Sequence, residues 1–294
     1  MAATIIAAVD GSAAALQAAR LLAGYRGDPQ RLALIALNVQ PRPLTLWPGP
    51  AIDARKVDDA LLAQGSRELE PACKLLAEAG LVPQTGVRLG VPAVWIAEEA
   101  ARRSAALIVI GTRGHGPVGG FALGSVALRV AHRAQTPTLL VQADSRLPQN
   151  LGRSLRVLVP LDGSSHAARA VGFLLAAREW LGEIRVDLAH VRSAPGLWDT
   201  LPADERRLLE EWGSTEAEQA TRDARALLYV AGVPHDLEEA AGDAPGHIVR
   251  LAGVSGSELI VMGTRGLGAV HHALIGSVAL KVALASPVPV VLVP

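Results

Sequence analysis

Residues 107–128 read LIVIGTRGHGPVGGFALGSVAL, and residues 259–280 read LIVMGTRGLGAVHHALIGSVAL. Each begins with four apolar residues suited to a buried strand. Each ends on Gly-Ser-Val-Ala-Leu, suited to a helix start. Between Gly111 and Ser125 lie 13 residues, 112–124, with no periodicity. Strand–helix connections usually run about 2–6 residues, so a loop of this length points to function.

The surrounding sequence repeats as well. Val9, Asp10, Gly11 and Ser12 recur as Leu161, Asp162, Gly163 and Ser164. The offset is 152 residues there (162 − 10), at the strand end (263 − 111) and at the helix start (276 − 124). A constant, domain-sized offset is the mark of a tandem duplication, not of a solenoid. The expected domains are residues 1–143 and 155–294. Residues 144–154, polar with Pro and Gly, suit a linker.

Each half alternates short apolar runs with helical stretches. The first half predicts strands over Thr4–Val9, Leu32–Val39, Gln84–Leu89, Leu107–Ile110 and Thr138–Val141. Helices are expected over Ser12–Ala23, Val57–Ala79, Ala93–Ser104 and Ser125–Ala134. The second half predicts strands over Arg156–Leu161, Ile184–Val191, Asp236–Ala240, Leu259–Met262 and Val290–Val293. Its expected helices are Glu216–Ala231, Gly246–Ala252 and Ser277–Ala285. Alternating β and α with continuous apolar strands implies an α/β fold, a mostly parallel sheet covered on both faces.

Composition narrows the function. The chain has 294 residues, 50% of them hydrophobic, with 28 Lys plus Arg against 28 Asp plus Glu. Zero net charge argues against binding nucleic acid through bulk positive charge. One cysteine, Cys73, rules out an intrachain disulfide and a multi-cysteine metal site. The first ten residues, MAATIIAAVD, lack a basic start and read as a strand, not a signal peptide. No apolar run reaches the roughly 18 residues of a membrane span. A soluble cytoplasmic protein is the expectation.

The glycine loop has a specific chemistry. In the first half it holds Gly111, Gly114, Gly116, Gly119, Gly120 and Gly124. Glycine permits positive φ and lets a ligand approach the main chain. The helix opened by Ser125 offers unbonded N–H groups and the positive end of its dipole to an anion. The competing reading is a surface loop with a serine N-cap. Asp10 and Asp162 end their first strands just before helices. If strands 1 and 4 are neighbours at the point where the winding reverses, Asp10 faces the Gly111 loop and can take ribose hydroxyls or help hold a metal. Alternatively it N-caps the first helix.

The spacings Gly111-x2-Gly114-x9-Gly124-Ser125 and Gly263-x2-Gly266-x9-Gly276-Ser277 resemble the nucleotide-binding motif of ATP-binding universal stress proteins. The stretch Val159–Ser164 and the closing residues 289–293 resemble that family too, and the likeness spans nearly the whole chain. It implies two Rossmann-like domains of the adenine nucleotide alpha hydrolase type, each a five-stranded parallel sheet of order 3-2-1-4-5 with helices on both faces. It implies ATP as ligand, with Mg²⁺ accompanying the triphosphate. By that resemblance Asp10 and Asp162 contact ribose, and backbone groups of Val39 and Val191 hold adenine. Gly111, Gly114, Gly124, Ser125 and Val126 bind phosphates in the first half. Gly263, Gly266, Gly276, Ser277 and Val278 do so in the second. The family's proline two residues before the aspartate is matched by Pro160, whereas the first half has Ala8. The first site is therefore expected to position adenine less well.

Other residues carry plainer readings. His271 and His272 are adjacent loop residues without metal spacing. Arg113 and Arg265 suit solvated loop arginines as well as phosphate ligands. Trp47 and Trp198 can roof an adenine or simply pack a loop. No Walker A pattern, no pyrophosphatase-type Ser-Gly-Gly-x-Asp-Ser loop and no His-Glu-x-x-His occurs, and no general base stands in a motif beside the loop. The expected role is nucleotide-dependent regulation in a stress response. A slow ATPase or self-phosphorylation at Ser125 or Ser277 is the enzymatic alternative, and an anion-holding scaffold the structural one. Three further expectations follow. The apolar edge strands 138–141 and 290–293 pair within the chain as a pseudo-dimer. Each half carries one nucleotide site. A side chain at Gly114 or Gly266 collides with ligand or forbids the required φ. A homodimer of the whole chain and a further protein partner stay open.

Overall fold

The computed structural model describes residues 2–42, 53–112, 114, 123–192, 202–266 and 275–294, with backbone alone over 203–214. The chain divides into two compact units, Met1–Ser145 and Arg146–Pro294. The first runs β1 (Ala3–Ala8), α1 (Ala13–Ala23), a 3-10 turn (Pro29–Arg31), β2 (Leu32–Gln40), α2 (Ala54–Glu78), β3 (Gln84–Leu89), α3 (Pro92–Arg102), β4 (Leu107–Gly111), α4 (Ser125–Arg133) and β5 (Thr138–Val141). The second runs β6 (Ser154–Pro160), α5 (Ser165–Leu181), β7 (Glu183–Arg192), α6 (Ala203–Val230), β8 (His235–Ala241), α7 (Ala244–Val254), β9 (Leu259–Gly263), α8 (Ser277–Ala285) and β10 (Val290–Val293).

In the first unit the strands lie in the order β3-β2-β1-β4-β5, and in the second β8-β7-β6-β9-β10. Both are 3-2-1-4-5 in the unit's own count, and the pairings within each unit are parallel. The duplication extends to register. Ile6 pairs with Ile35 and Ile108, and 152 residues on Leu158 pairs with Asp187 and Ile260. The central strands are apolar on both sides because helices cover both faces: α1 packs beside α2 and α3 beside α4, then α5 beside α6 and α7 beside α8. Ile5, Ile6, Ile108 and Leu140 in the first unit, and Leu158, Leu188, Ile260 and Leu292 in the second, are fully buried. Each contributes about 1.5–3 kcal/mol of hydrophobic stabilisation.

The first helix of each unit starts the same way. Ser12 and Ser164 are the N-caps, accepting from the N–H of Ala15 and Ala167 at 3.2 Å. α1 then lays Ala14, Ala15, Ala18 and Ala19 against the sheet. These small side chains let the helix come close. Proline opens α3 at Pro92, where a missing N–H loses nothing.

Two elements differ from the sequence pattern. α5 occupies residues 165–181, a stretch to which the pattern assigned no element. α6 starts at Ala203, well before Glu216, and runs for 28 residues. Residues 146–153 are bound into the second unit. The Arg146 N–H donates to the Pro287 carbonyl, the Gln149 N–H to Glu258 Oε1, and the Gly152 N–H to the Leu181 carbonyl. Among the described residues, no helix is long and apolar enough to cross a membrane.

Candidate functional site

The winding reverses between β1 and β4 in the first unit and between β6 and β9 in the second. Beyond their carboxyl ends a crevice forms, the standard ligand position in an open parallel sheet. Asp10 sits at its mouth, two residues past the end of β1. Its Oδ1 accepts from the Ser12 N–H at 3.0 Å, and Asp162 does the same with Ser164 at 3.0 Å. The helix cap is therefore the serine, not the aspartate. This turn fixes the carboxylate while Oδ2 faces the loop that follows β4. A Cβ placed on Gly114 would lie 2.7 Å from Asp10 Oδ2. One on Gly266 would likewise collide with Asp162 Oδ2. Neither glycine lies in the left-handed φ region. The expected need for positive φ is thus replaced by a steric one, close approach to the carboxylate.

Gly111 and Gly263 have a different reason to be glycine. A Cβ on Gly111 would stand 2.7 Å from the backbone C of Ala14 and N of Ala15. One on Gly263 would stand 2.7 Å from the backbone C of His166. These glycines let the first turn of α1 or α5 rest directly on the strand end. The loop leaves and returns at one place. The Gly124 N–H donates to the Thr112 carbonyl at 2.7 Å, and the Gly276 N–H to the Thr264 carbonyl at 2.7 Å. Gly124 and Gly276 are the N-caps of α4 and α8, and no side chain caps either helix. Ser125 and Ser277 are exposed at the first helical position, with Val126 and Val278 half-buried behind them. The helix-start N–H groups thus stand at the crevice beside the aspartates' loop.

The floor is made by β2 and β7. In a parallel ladder a residue turns its N–H and C=O to one neighbour, and successive residues alternate. Val9 donates to the Leu37 carbonyl at 2.9 Å, and Leu161 to the Ala189 carbonyl at 2.8 Å. Two residues on, Val39 and Val191 turn their peptide groups to that same side, beyond the ends of β1 and β6.

The second site differs in two ways. Ala8 carries the β1–β4 ladder to Ile110, but the β6–β9 ladder stops at Leu158 and Ile260. Pro160 has no N–H to give β9, so these strands part earlier. Sequence reasoning also missed His166, half-buried in the first turn of α5. Burial pushes its imidazole below the usual range, the Arg169 and Arg265 guanidiniums add to this, and Asp162 opposes it. Its counterpart is Ala14, so the repeat gave no signal. Arg265 is exposed, and its carbonyl accepts from Ser164 Oγ at 3.5 Å. Arg113, Gly116, Gly119, Gly120, His271, His272, Trp47 and Trp198 lie outside the described residues. Among the described residues, no group of three His, Cys, Asp or Glu side chains could hold a metal.

Parallel domains that reverse their winding at the first and fourth strands define the doubly wound α/β class. The particular family follows from comparison. The universal stress protein family model matches residues 1–142 and again residues 154–294. The chain belongs to that family, with two such domains in tandem. It is 29% identical to a universal stress protein of Mycobacterium tuberculosis, over 98% of this chain and 93% of that one. It is 27% identical to one of Mycolicibacterium smegmatis, over 76% and 75% of the two chains. A universal stress protein of Archaeoglobus fulgidus has the same fold, with TM-score 0.68 and 22% identity over 98% of this chain and 95% of that one.

Proposed function

We propose that each unit binds an adenine nucleotide, with ATP as the physiological ligand, and that occupancy regulates the protein in a stress response. One observation carries this reading. In both units a fixed carboxylate, a glycine lying against it and an uncapped helix N-terminus converge on one crevice. The carbonyl of Val39 or Val191 accepts from the adenine amino group, and the N–H donates to ring N1. Asp10 or Asp162 takes the ribose hydroxyls. The phosphates lie on Gly114, Gly124, Ser125 and Val126, or on Gly266, Gly276, Ser277 and Val278, with Arg265 adding charge in the second site. Gly111 and Gly263 act one step back, by seating the helix. A Mg²⁺ fits as an ion held mostly by the triphosphate and water with at most one protein carboxylate. Occupancy acts as a ligand-biased equilibrium between states of the protein.

The test has two parts. Freshly purified protein is denatured and its released nucleotide identified. The stripped protein is then titrated calorimetrically with ATP, with and without Mg²⁺. The reading expects adenine nucleotide in the first assay, a stoichiometry near two in the second and weaker binding in excess chelator. No retained nucleotide together with no heat of binding overturns it.

A further inference from the structure

The carbonyls of Val9 and Leu161 raise a question of accounting. A regular parallel ladder continues from the Val9 N–H to Leu37 bond with a Val39 N–H to Val9 carbonyl bond. Among the described residues that bond is not made. The Val9 carbonyl instead accepts from Asn38 Nδ2 at 2.8 Å. In the second unit the equivalent carbonyl, of Leu161, is met by His190 Nδ1 at 2.9 Å. Positions 38 and 190 are 152 residues apart, so one structural position does one job with two different side chains. A carbonyl only accepts, so Nδ1 is the donor in this bond. Imidazole Nδ1 and carboxamide Nδ2 stand the same number of bonds from Cα, which is why either group can reach.

Both side chains are buried, at 1% and 4% exposure, and both are held. Asn38 also donates to Glu68 Oε2 at 2.9 Å and accepts from Gln40 Nε2 at 3.0 Å, and Gln40 donates to the same Glu68 oxygen at 2.8 Å. Gly65 of α2 makes the room, since a Cβ there would stand 2.6 Å from Asn38 Oδ1. His190 Nε2 has no partner among the described residues. Burying an unpaired ring nitrogen costs stability, yet the ring keeps its bond to the carbonyl.

We propose that Asn38 and His190 are positioning residues for the base. Each occupies the place of the next ladder rung, so the peptide N–H of Val39 or Val191 is left for a ligand. The proposal rests on the nucleotide reading for the identity of that ligand, but the freeing of the peptide does not depend on it.

The experiment compares wild type, His190→Leu and His190→Asn. Amide hydrogen exchange on nucleotide-free protein reads the Val191 N–H directly. It exchanges fast in wild type and in His190→Asn, and is protected at least tenfold in His190→Leu, where the rung can close. ATP and ITP affinities form the second arm. Hypoxanthine carries a proton on N1 and cannot accept there, so in the adenine pose only ATP takes the freed N–H at N1. His190→Leu weakens ATP at the second site about tenfold and ITP hardly at all, while His190→Asn keeps the wild-type ratio. A structural role alone would weaken both nucleotides together. A Val191 amide already protected in wild type overturns the proposal, as does equal loss of ATP and ITP binding. If wild type binds neither nucleotide, the functional reading fails and hydrogen exchange still decides the proposal. If His190→Leu does not fold, wild-type exchange at Val39 and Val191 decides it.

Discussion

The two halves share strand order and register and differ inside that frame. Towards the amino ends of the strands, the first half places Thr4, Ile35 and Ala105 where the second places Arg156, Asp187 and Ser257. Arg156 holds Asp187 through Nε at 2.7 Å and Nη2 at 3.1 Å, and Ser257 Oγ donates to the same carboxylate at 3.2 Å. At the carboxyl ends, Asn38, Gln40 and Ala8 stand opposite His190, Arg192 and Pro160. The two serine caps, the aspartate turns and the glycines at the strand ends, all in contact with backbone, are kept on both sides. Backbone cannot repack, whereas a side-chain interior has several solutions of similar energy.

The largest test of that contrast is Gly111→Ala against Gly263→Ala. Each new Cβ meets helix backbone at 2.7 Å, with no flexible side chain to yield. Each should destabilise its own unit by about 3 kcal/mol, read by hydrogen exchange resolved by unit. A large loss in one half and none in the other would break the equivalence. Arg156→Leu comes next, because it leaves a buried carboxylate with one hydroxyl partner. It should cost about 2 kcal/mol, below the roughly 3–5 of a fully buried pair, as Arg156 is 40% exposed. Arg156→Thr with Asp187→Ile, which copies the first half, should recover most of that loss. If the double variant is worse than Arg156→Leu, the two interiors are not interchangeable.

Gly114→Ala and Gly266→Ala are smaller. Their Cβ meets a carboxylate that can rotate, so each should weaken only its own site, by about 1 kcal/mol or roughly fivefold. Calorimetry should show one site weakened and one unchanged in each variant. A stoichiometry near one in wild type, with only one of the glycine changes having effect, would mean that one half no longer binds.

Where sequence was informative, the signal was local. The buried strands were readable because four or more apolar residues in a row need cover on both faces, and Val290–Val293 falls where the pattern puts it. Strand order needed the family resemblance, since apolar runs do not say which neighbours they take. α5 was passed over because its Ala, Leu and Gly residues spread round the helix as well as along its buried stripe. The first turns of α6 are rich in charged residues, with few apolar ones among them. Gly111 and Gly263 were legible as glycines but not for their cause: a helix pressed on the strand end leaves no mark in a loop motif. The Arg156–Asp187 pair joins residues 31 positions apart, and only register brings them together.

The smallest effect belongs to the first half alone. Glu99 of α3 is 7% exposed and accepts from Arg102 Nε at 3.0 Å and Arg103 Nε at 3.1 Å. Its counterparts in the second half are Leu251, Val254 and Ser255, which cannot form such a pair. The Arg102 hydrogen bonds hold the Glu99 carboxyl below the usual range, burial opposes them, and Arg103 adds to the lowering. A carboxyl with a depressed folded pKa contributes stability that is complete above its unfolded value, about 4.3. That stability is lost as pH falls through the lower, folded value. Both arginines are well exposed, so water screens the pair and the effect is small. At neutral pH Glu99→Gln should speed exchange of the α3 amides by about two- to fivefold and leave α7 unchanged. In acid well below the folded value, wild type and variant should converge, because wild-type Glu99 is then neutral too. A difference that persists there would assign the loss to packing of the side chain and not to its charge.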